Sequence, residues 1–357
     1  MFRHTARLLA VAAMATSIAT LATNTALADP PLGGLPAVQD VVGVGADTDQ
    51  YLLDQFSADY NAYLGSNGGN ASPHLYSWDS TGFPSITPKT GATKITRPSG
   101  SNDGISALNS STSAALDFAR SSRPPQTGDP ANDDFVAFAK DLVSWAGNGT
   151  GNAPASLSTT DLRNIYSCSV TNWNQITDVH GYVGPSALIK PYLPPTTSGT
   201  RTVFLQSLNQ SVSTPLVPGA CVQTATENEG TDPVFADPNA ITPYSVGHYI
   251  GQVYNGHFSS LDAPGPLTVR SIYGISPITA AHTLNTPYFP VLYQHLLYNV
   301  VRNTDWTDPR AGATLKAIFA PNGWICASTF ARLDTTNYGF QPLQPNQCGT
   351  LTHPPLP

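Results

Sequence analysis

Short strand-like runs alternate with helical patterns along this chain, and that alternation constrains its fold more than any other feature. The run DVVGVGAD, residues 40–47, predicts a buried strand that enters a glycine turn. Residues 48–64 then place Leu53, Phe56 and Tyr60 on one helical stripe. Further strand and helix patterns follow in the same order. Alternation of this kind indicates an α/β fold with largely parallel sheets.

Four loops rich in small polar residues lie at strand ends or helix starts of this pattern. They are Asp47-Thr48, Ser99 to Asp103 with Ser101 and Asn102 inside it, Ser121-Ser122-Arg123, and Ser198-Gly199-Thr200-Arg201. Open α/β sheets bind ligands beyond the carboxyl ends of their strands, where helix N-termini converge. We therefore expect the four loops to meet in one cleft. The alternative is that each loop only caps its own helix.

The stretch TTSGTRTVFLQSL, residues 196–208, changes from loop to helix within a few residues. Ser198 is predicted to be the N-cap, so Gly199, Thr200 and Arg201 form the first turn, whose backbone N–H groups have no partner inside the helix. Those N–H groups, the Ser and Thr hydroxyls and the positive end of the helix dipole favour a bound anion. In the alternative interpretation, Arg201 faces solvent on an ordinary capped helix.

The first 28 residues have the pattern of a secretory signal peptide. Arg3 and Arg7 precede an apolar stretch, and Ala26-Leu27-Ala28 forms an A-x-A site, so we expect cleavage after about Ala28. An uncleaved membrane anchor is the disfavoured alternative, since no later run approaches the ~18 apolar residues of a span. We therefore expect a secreted protein, extracellular or periplasmic. A formal charge of −7 argues against nucleic acid as a partner.

Four cysteines, Cys168, Cys221, Cys326 and Cys348, occur in this chain. In an exported protein they indicate disulfides rather than metal ligation. Closeness in sequence favours a disulfide between Cys168 and Cys221 and another between Cys326 and Cys348, and the two other possible connectivities stay open. Because the sequence has no CxxC or HExxH motif, neither a metal nor a cofactor is expected.

Several segments together resemble one family, the phosphate-binding, periplasmic-type solute receptors of ABC transporters. One segment is similar to the family's L-x-x-x-x-L-x-x-I-Y-x-G-x-x-x-x-W pattern, with Cys168 where glycine is usual, and another is similar to its anion-binding D-G-S-G-T pattern. In family order the segments are GVGADT (43–48), PSGSNDGISAL (98–108), DFARSSRP (117–124), LSTTDLRNIYSCSVTNWNQI (157–176), TTSGTRTVFLQSL (196–208) and DPNAITPYS (237–245).

The resemblance implies a two-lobed clamp of the type II periplasmic-binding-protein fold, in which each lobe is a mostly parallel sheet flanked by helices. Residues 38–125 and 266–357 would form lobe one, and residues 126–265 lobe two. A small inorganic anion, phosphate or a related oxyanion, would bind between the lobes of a monomer that serves an ABC-transporter permease. The ligand-binding residues would be Asp47, Thr48, Ser101, Asn102, Ser121, Ser122, Arg123, Ser198, Gly199, Thr200 and Arg201.

Three positions depart from the family's pattern of charged ligand contacts. Pro194 stands where the family keeps an anion-binding arginine, and Ser122 stands where it keeps an aspartate that accepts a proton from hydrogen phosphate. The usual Thr-Phe pair of the first loop is Asp47-Thr48 here. Arg120, Arg123 or Arg201 would have to replace the missing cation, and Asp47 the missing proton acceptor.

The function expected from the sequence is therefore solute capture without chemistry. The sequence has no G-x-S-x-G elbow and no recognisable arrangement of Ser, His and Asp, so an enzyme is not expected. A surface or matrix interaction protein that keeps the fold but has no ligand is the main alternative. A secreted hydrolase is the less favoured one.

Overall fold

The computed structural model describes residues 29, 34–69, 73–211, 214–259 and 262–354, so the predicted signal peptide lies outside the described residues. The strands are β1 Val41–Gly45, β2 Leu75–Ser77, β3 Ser85–Ile86, β4 Ile95–Thr96, β5 Phe118–Ser121, β6 Asp133–Asn148, β7 Ser156–Leu157, β8 Lys190–Leu193, β9 Gln223–Thr224, β10 Ala240–Ser245, β11 Leu267–Val269, β12 Ser271–Ile272, β13 Gln294–Arg302, β14 Gln341–Pro342 and β15 Leu351–Thr352.

The helices follow the strands closely along the chain, as the sequence pattern predicts. They are α1 Gln50–Ser66, α2 Ser101–Asn109, α3 Thr159–Tyr166, α4 Gly199–Leu208, α5 Val246–Tyr254, α6 Asn303–Thr307, α7 Ala311–Phe319, α8 Trp324–Ala327 and α9 Thr329–Asn337. Short 3-10 turns cover Trp173–Gln175, Pro233–Ala236 and Val291–Tyr293. Over the part of the chain that the structure describes, none of these helices has both the length and the apolar character that crossing a bilayer requires.

One curled, mixed sheet runs through the molecule in the order β2-β1-β5-β13-β6-β10-β8-β9. At one end β1 pairs parallel with β2 and β5, and at the other β8 pairs parallel with β10 and β9. Between them β13 and β6 run antiparallel to their neighbours. The predicted α/β class is confirmed, with the parallel pairs at the two outer parts of the sheet.

The buried apolar side chains form two main clusters. The first draws its residues from 41–139 and 297–348, and the second from 142–293. Helices α1 and α2 pack against β1, β2 and β5, whereas α4 and α5 pack against β6 and β10. The segments at the starts of α1, α2 and α4 contact one another, through Thr48 with Thr200 and through Asn102 with Thr197. The lobe boundaries proposed from the sequence stay predictions.

Both favoured disulfides are present. Cys168 pairs with Cys221 across 53 residues, and Cys326 pairs with Cys348 across 22 residues. Cys168 adopts a positive φ of 64°, which is the left-handed region that favours glycine. This position is the one at which the resembled family usually has glycine, so the substitution keeps the local backbone and adds a covalent link to the segment after α4.

Replacement of Phe56 by alanine should destabilise the protein strongly. The Phe56 side chain is fully buried on α1, with its ring centroid 6.1 Å from that of Phe138 and 6.0 Å from that of Trp324. Removing such a ring from a packed core costs about 3 to 5 kcal/mol. Tyr63→Ala on the same helix is the matched control, because the Tyr63 side chain is 50% exposed. Urea unfolding measures both, and equal losses in the two variants would contradict this packing.

Candidate functional site

Two threonine hydroxyls from the starts of two helices meet in the buried centre of the molecule. Thr48 precedes α1, Thr200 lies in the first turn of α4, and their Oγ1 atoms are 3.0 Å apart. Both residues are at most 1% exposed. Ser198 is the N-cap of α4, as predicted, and its Oγ accepts a hydrogen bond from the Arg201 N–H at 3.0 Å. The predicted first and fourth loops are therefore in direct contact.

The start of α4 also lies against the second and third loops. The Ser122 N–H donates to Ser101 Oγ at 3.1 Å, and the two hydroxyl oxygens are 3.4 Å apart. A Cβ atom on Gly199 would lie 2.3 Å from Ser122 Oγ and 2.4 Å from Ser101 Oγ. Only glycine lets these backbones approach so closely.

Asn102 joins α2 to the segment that leads into α4. Its backbone N–H donates to the Thr197 carbonyl oxygen at 3.0 Å, and its side-chain Nδ2 donates to the Thr196 carbonyl oxygen at 3.2 Å. The predicted loops thus lie together in one place, in a closed arrangement in which protein groups touch one another directly.

Three arginines near these loops, Arg120, Arg123 and Arg201, donate from their guanidinium groups to oxygen atoms of the protein itself. Arg120 is fully buried and donates to the Ala46 and Trp78 carbonyl oxygens, at 3.0 and 2.8 Å. Arg201 donates to the Pro194 carbonyl oxygen at 2.8 Å. The sequence predicts a ligand contact for at least one arginine, and this stays a prediction.

Arg123 forms an ion pair with Asp129, which lies six residues further along the chain. Its two Nη atoms each donate to a carboxylate oxygen of Asp129 at 2.7 Å, and its Nε donates to Asn102 Oδ1 at 2.7 Å. Ser121 donates from its Oγ to the Arg123 carbonyl oxygen at 2.9 Å. Arg123 and Ser121 therefore shape the third loop and the orientation of Asn102.

Glu227, which the sequence analysis misses, places its carboxylate at the hydroxyl groups of the first and fourth loops. Thr48 Oγ1 donates to Glu227 Oε1 at 3.4 Å. Burial and the nearby Asp47 carboxylate raise the pKa of Glu227 to about 7, while hydrogen bonds from the Thr200 and Ser198 hydroxyls oppose that rise. The only sequence signal is compositional, because the chain has just two glutamates, both in the segment TENEG.

Asn228 fixes the backbone next to Glu227. It adopts a left-handed φ of 49°, a conformation that asparagine tolerates better than most residues. Its carbonyl oxygen accepts hydrogen bonds from the Tyr244 hydroxyl at 2.5 Å and from Gln252 Nε2 at 3.0 Å. Its side-chain Oδ1 accepts the Ser245 N–H at 3.0 Å. The loop that presents Glu227 is therefore anchored to β10 and α5.

His248 is a buried cation that contacts the first loop. Its Nε2 lies 2.8 Å from Asp262 Oδ1 and its Nδ1 lies 2.9 Å from the Thr48 carbonyl oxygen. Burial alone would lower the pKa of His248, but the Asp262 and Asp47 carboxylates outweigh it and raise that pKa to about 10. Both ring nitrogens then carry protons at neutral pH, so His248 donates to Thr48 from α5 and holds the first loop in place.

Asp47 lies inside the site with its carboxylate hydrogen-bonded on several sides. Gln50 Nε2 and Ser80 Oγ each donate to Oδ1 at 3.0 Å, and Asn228 Nδ2 donates to Oδ2 at 3.3 Å. Burial raises the pKa of Asp47 to about 6, although the charge of His248 acts against it. The carboxyl therefore titrates close to the neutral range, and above about pH 6 its ionised form can accept a hydrogen bond from a ligand.

A cavity of about 200 Å³ opens beside these groups. Four carboxylates line it, from Asp47, Glu227, Glu229 and Asp262. Among the described residues that line it, none is Lys, Arg or His. The site thus combines hydroxyl donors at two helix starts with an acidic cavity and one imidazolium beneath them.

The melting temperature should fall as the pH rises from about 5 to about 8, with most of the fall below about pH 7. Burial raises the pKa of Asp49 to about 7 and also that of Asp334 to about 7. A carboxyl with a raised pKa in the folded state binds its proton more tightly than the unfolded chain does, so stability is lost as the pH rises through that pKa.

The variant Asp49→Asn tests this pH dependence. Both Asp49 carboxylate oxygens are buried without a hydrogen-bond partner in the described part of the chain. Asn removes the charge, so we expect a smaller fall and a melting temperature a few degrees higher at about pH 8.5. Asp178→Asn, at an exposed position, is the control. If both variants follow the same pH profile, the burial of Asp49 does not set it.

Comparisons with known proteins find one matching family model and solved structures of similar fold. The family model of the PBP superfamily domain matches residues 64–288. An ABC-type phosphate transport receptor from Vibrio cholerae aligns with a TM-score of 0.53 at 16% identity, covering 85% of this chain and 99% of its own. A protein from Clostridium perfringens, solved with bound phosphate, aligns with a TM-score of 0.55 at 13% identity, covering 85% and 100%. No curated protein matches the sequence.

Proposed function

Because the chain belongs to the PBP superfamily, we propose that it is a solute-binding protein that captures a small anion, phosphate above all, between its two lobes. The contact between the Thr48 and Thr200 hydroxyls is the observation that supports this function best. It brings two helix starts and their donor groups to one point, which is the arrangement that binds anions in many proteins. The phosphate named for the structural neighbours supports the choice of ligand.

The four loops supply the binding residues in this proposal. Thr48, Ser198 and Thr200 donate from their hydroxyls, and Gly199 lets the ligand reach the backbone of α4. Ser101, Asn102, Ser121 and Ser122 build the opposite wall, while Arg123 and Arg201 are candidates for a cationic contact only if they leave the partners described above. The ionised carboxylate of Asp47 would accept a hydrogen bond from hydrogen phosphate.

The proposal extends to location and partners. The pattern of residues 1–28 supports export, so the receptor would work outside the cytoplasm. An ABC-transporter permease is the partner that would receive the captured solute. Capture and release without a chemical step would follow from hinge motion of the two lobes.

A second candidate is an interaction protein that keeps this fold without a ligand. The Glu227 carboxylate at the proposed anion position favours it, together with the three arginines that are engaged elsewhere. The two candidates differ in one measurable property, which is the binding of free anions.

Titration calorimetry of the chain from residue 29 onward should show heat with phosphate at about pH 6. Ser198→Ala combined with Thr200→Val should weaken that binding by about 10 to 100-fold, because two hydroxyl donors are lost. Thr202→Val is the matched control, since the Thr202 hydroxyl donates to the Ser198 carbonyl oxygen within the helix, at 3.0 Å.

Other results would select the alternatives. Absence of heat and of thermal shift with phosphate, sulfate and acetate would favour the ligand-free interaction protein. Undiminished phosphate affinity in the double variant would mean that the start of α4 is only a cap. Robust turnover of p-nitrophenyl phosphate or of ester substrates would contradict the receptor and favour a hydrolase.

A further inference from the structure

We propose that Glu227 is an internal occupant of the anion site, and that an external anion binds only after the Glu227 carboxylate leaves the hydroxyls of Thr48, Ser198 and Thr200. The inference rests on the proposed function, whose site it shares. Its first support is position, because Thr48 Oγ1 donates to Glu227 Oε1 at 3.4 Å and lies 3.0 Å from Thr200 Oγ1, at the point where the anion would bind. The hydroxyls of Thr200 and Ser198 also lower the pKa of Glu227, which places them near the same carboxylate. A carboxylate is itself a small anion, so one set of donors cannot hold both.

The backbone around Glu227 is fixed, so its side chain is the part that can move. On one side, the Ala225 N–H donates to the Leu193 carbonyl oxygen at 3.0 Å. On the other side, Asn228 is anchored through its backbone and its amide, and the Gly230 N–H donates to the Ala263 carbonyl oxygen at 2.8 Å. The carboxyl group of Glu227 is enclosed, whereas the residue as a whole is half-buried, so rotation about its side-chain bonds is the motion that can carry the carboxylate out of the site.

The charges around Glu227 oppose a second anion while it stays ionised. Asp47 faces it from the first loop, and Glu229 and Asp262 line the same cavity. His248 on α5 supplies the opposing positive charge, which it shares with Asp262 and Asp47. An incoming oxyanion therefore meets several carboxylates and a single imidazolium, so binding is unfavourable until one negative charge is removed.

A fall in pH should free the hydroxyl donors of the site from the Glu227 carboxylate. The pKa of Glu227 is raised to about 7 by burial and by Asp47, so its carboxyl gains a proton between about pH 8 and about pH 6. The neutral carboxyl no longer repels an anion and competes less well for the hydroxyl donors. Asp47, with a pKa of about 6, gains its proton at the lower end of this range, while His248, with a pKa of about 10, stays protonated throughout.

Sulfate is a suitable probe, because its own charge does not change over this range. We expect the wild-type chain to bind sulfate roughly 10-fold more tightly at about pH 6 than at about pH 8. Glu227→Gln removes the charge, and Glu227→Ala removes the occupant. Both should bind sulfate roughly 10-fold or more tightly than wild type at about pH 8 and should lose most of the pH dependence.

Glu229→Gln is the matched control. It removes the same charge from the same loop and cavity, but Glu229 accepts its hydrogen bonds from Thr231 and not from the three hydroxyls. The control should therefore keep a pH dependence close to that of wild type. If Glu229→Gln improves sulfate binding as much as Glu227→Ala does, the effect is general charge repulsion, and the inference that Glu227 occupies the anion site is wrong. If wild type binds sulfate and Glu227→Ala binds it no more tightly at about pH 8, the inference fails while the proposed function stands.

A second measurement needs no ligand. The chain has two glutamates, so selective ¹³C-carboxyl labelling gives two side-chain signals, and Glu229→Gln identifies that of Glu227. Its titration should have a midpoint near pH 7, and Ser198→Ala with Thr200→Val should move the midpoint upward, because donors to the ionised form are lost. If Glu227 titrates with the midpoint of an ordinary glutamate, and the double variant does not change that midpoint, the inference that Glu227 occupies the anion site is wrong. The expected midpoint and shift, with no anion bound by Glu227→Ala at any pH, would instead overturn the proposed function.

Discussion

Strand β6 is the element on which the rest of the structure depends, because it pairs with both halves of the sheet. Residues 133–142 pair with β13, whereas residues 143–148 pair with β10 and β11. A single strand thus fixes the direction of the parallel strands at each end. The loops that leave those strands are brought face to face, and the contact between Thr48 and Thr200 is a consequence.

Strand β6 also positions the buried charged side chains of the site. Asp141 in β6 accepts hydrogen bonds from Ser245 Oγ at 2.5 Å and from the Gly247 N–H at 2.8 Å, which anchors the start of α5. In the same first turn of α5, His248 lies against the Thr48 carbonyl oxygen, 2.9 Å from its Nδ1. Because a buried imidazolium and its carboxylates must stay paired, the first loop is tied to the second half of the sheet by charge as well as by hydroxyl contacts.

Local sequence signals predict the elements of this site but not its charge balance. The N-cap Ser198 follows from residue types acting on their near neighbours, and the two disulfide pairs are those that closeness in sequence favours. The approach of Gly199 to Ser101 and Ser122 joins distant parts of the chain, and no local pattern indicates it. Glu227 approaches Thr48 across 179 residues from an irregular loop, and no periodic pattern indicates that approach. His248 is missed for the same reason, because a lone histidine acquires a role only from the carboxylates that the fold places around it.

Groups of the chain itself make the contacts between the four loops. Asn102 bonds the segment before α4 directly, the Thr48 and Thr200 hydroxyls bond each other, and Glu227 supplies a carboxylate to the same donors. A solute that binds between the halves must compete with contacts that are already made, so its apparent affinity is reduced by the fraction of molecules in which they are broken. Additional hydroxyl donors would strengthen the binding of the Glu227 carboxylate as much as the binding of an external anion. In the proposed receptor, the balance between a bound anion and the internal carboxylate would therefore depend on the charge of Glu227 more than on the number of hydroxyls around it.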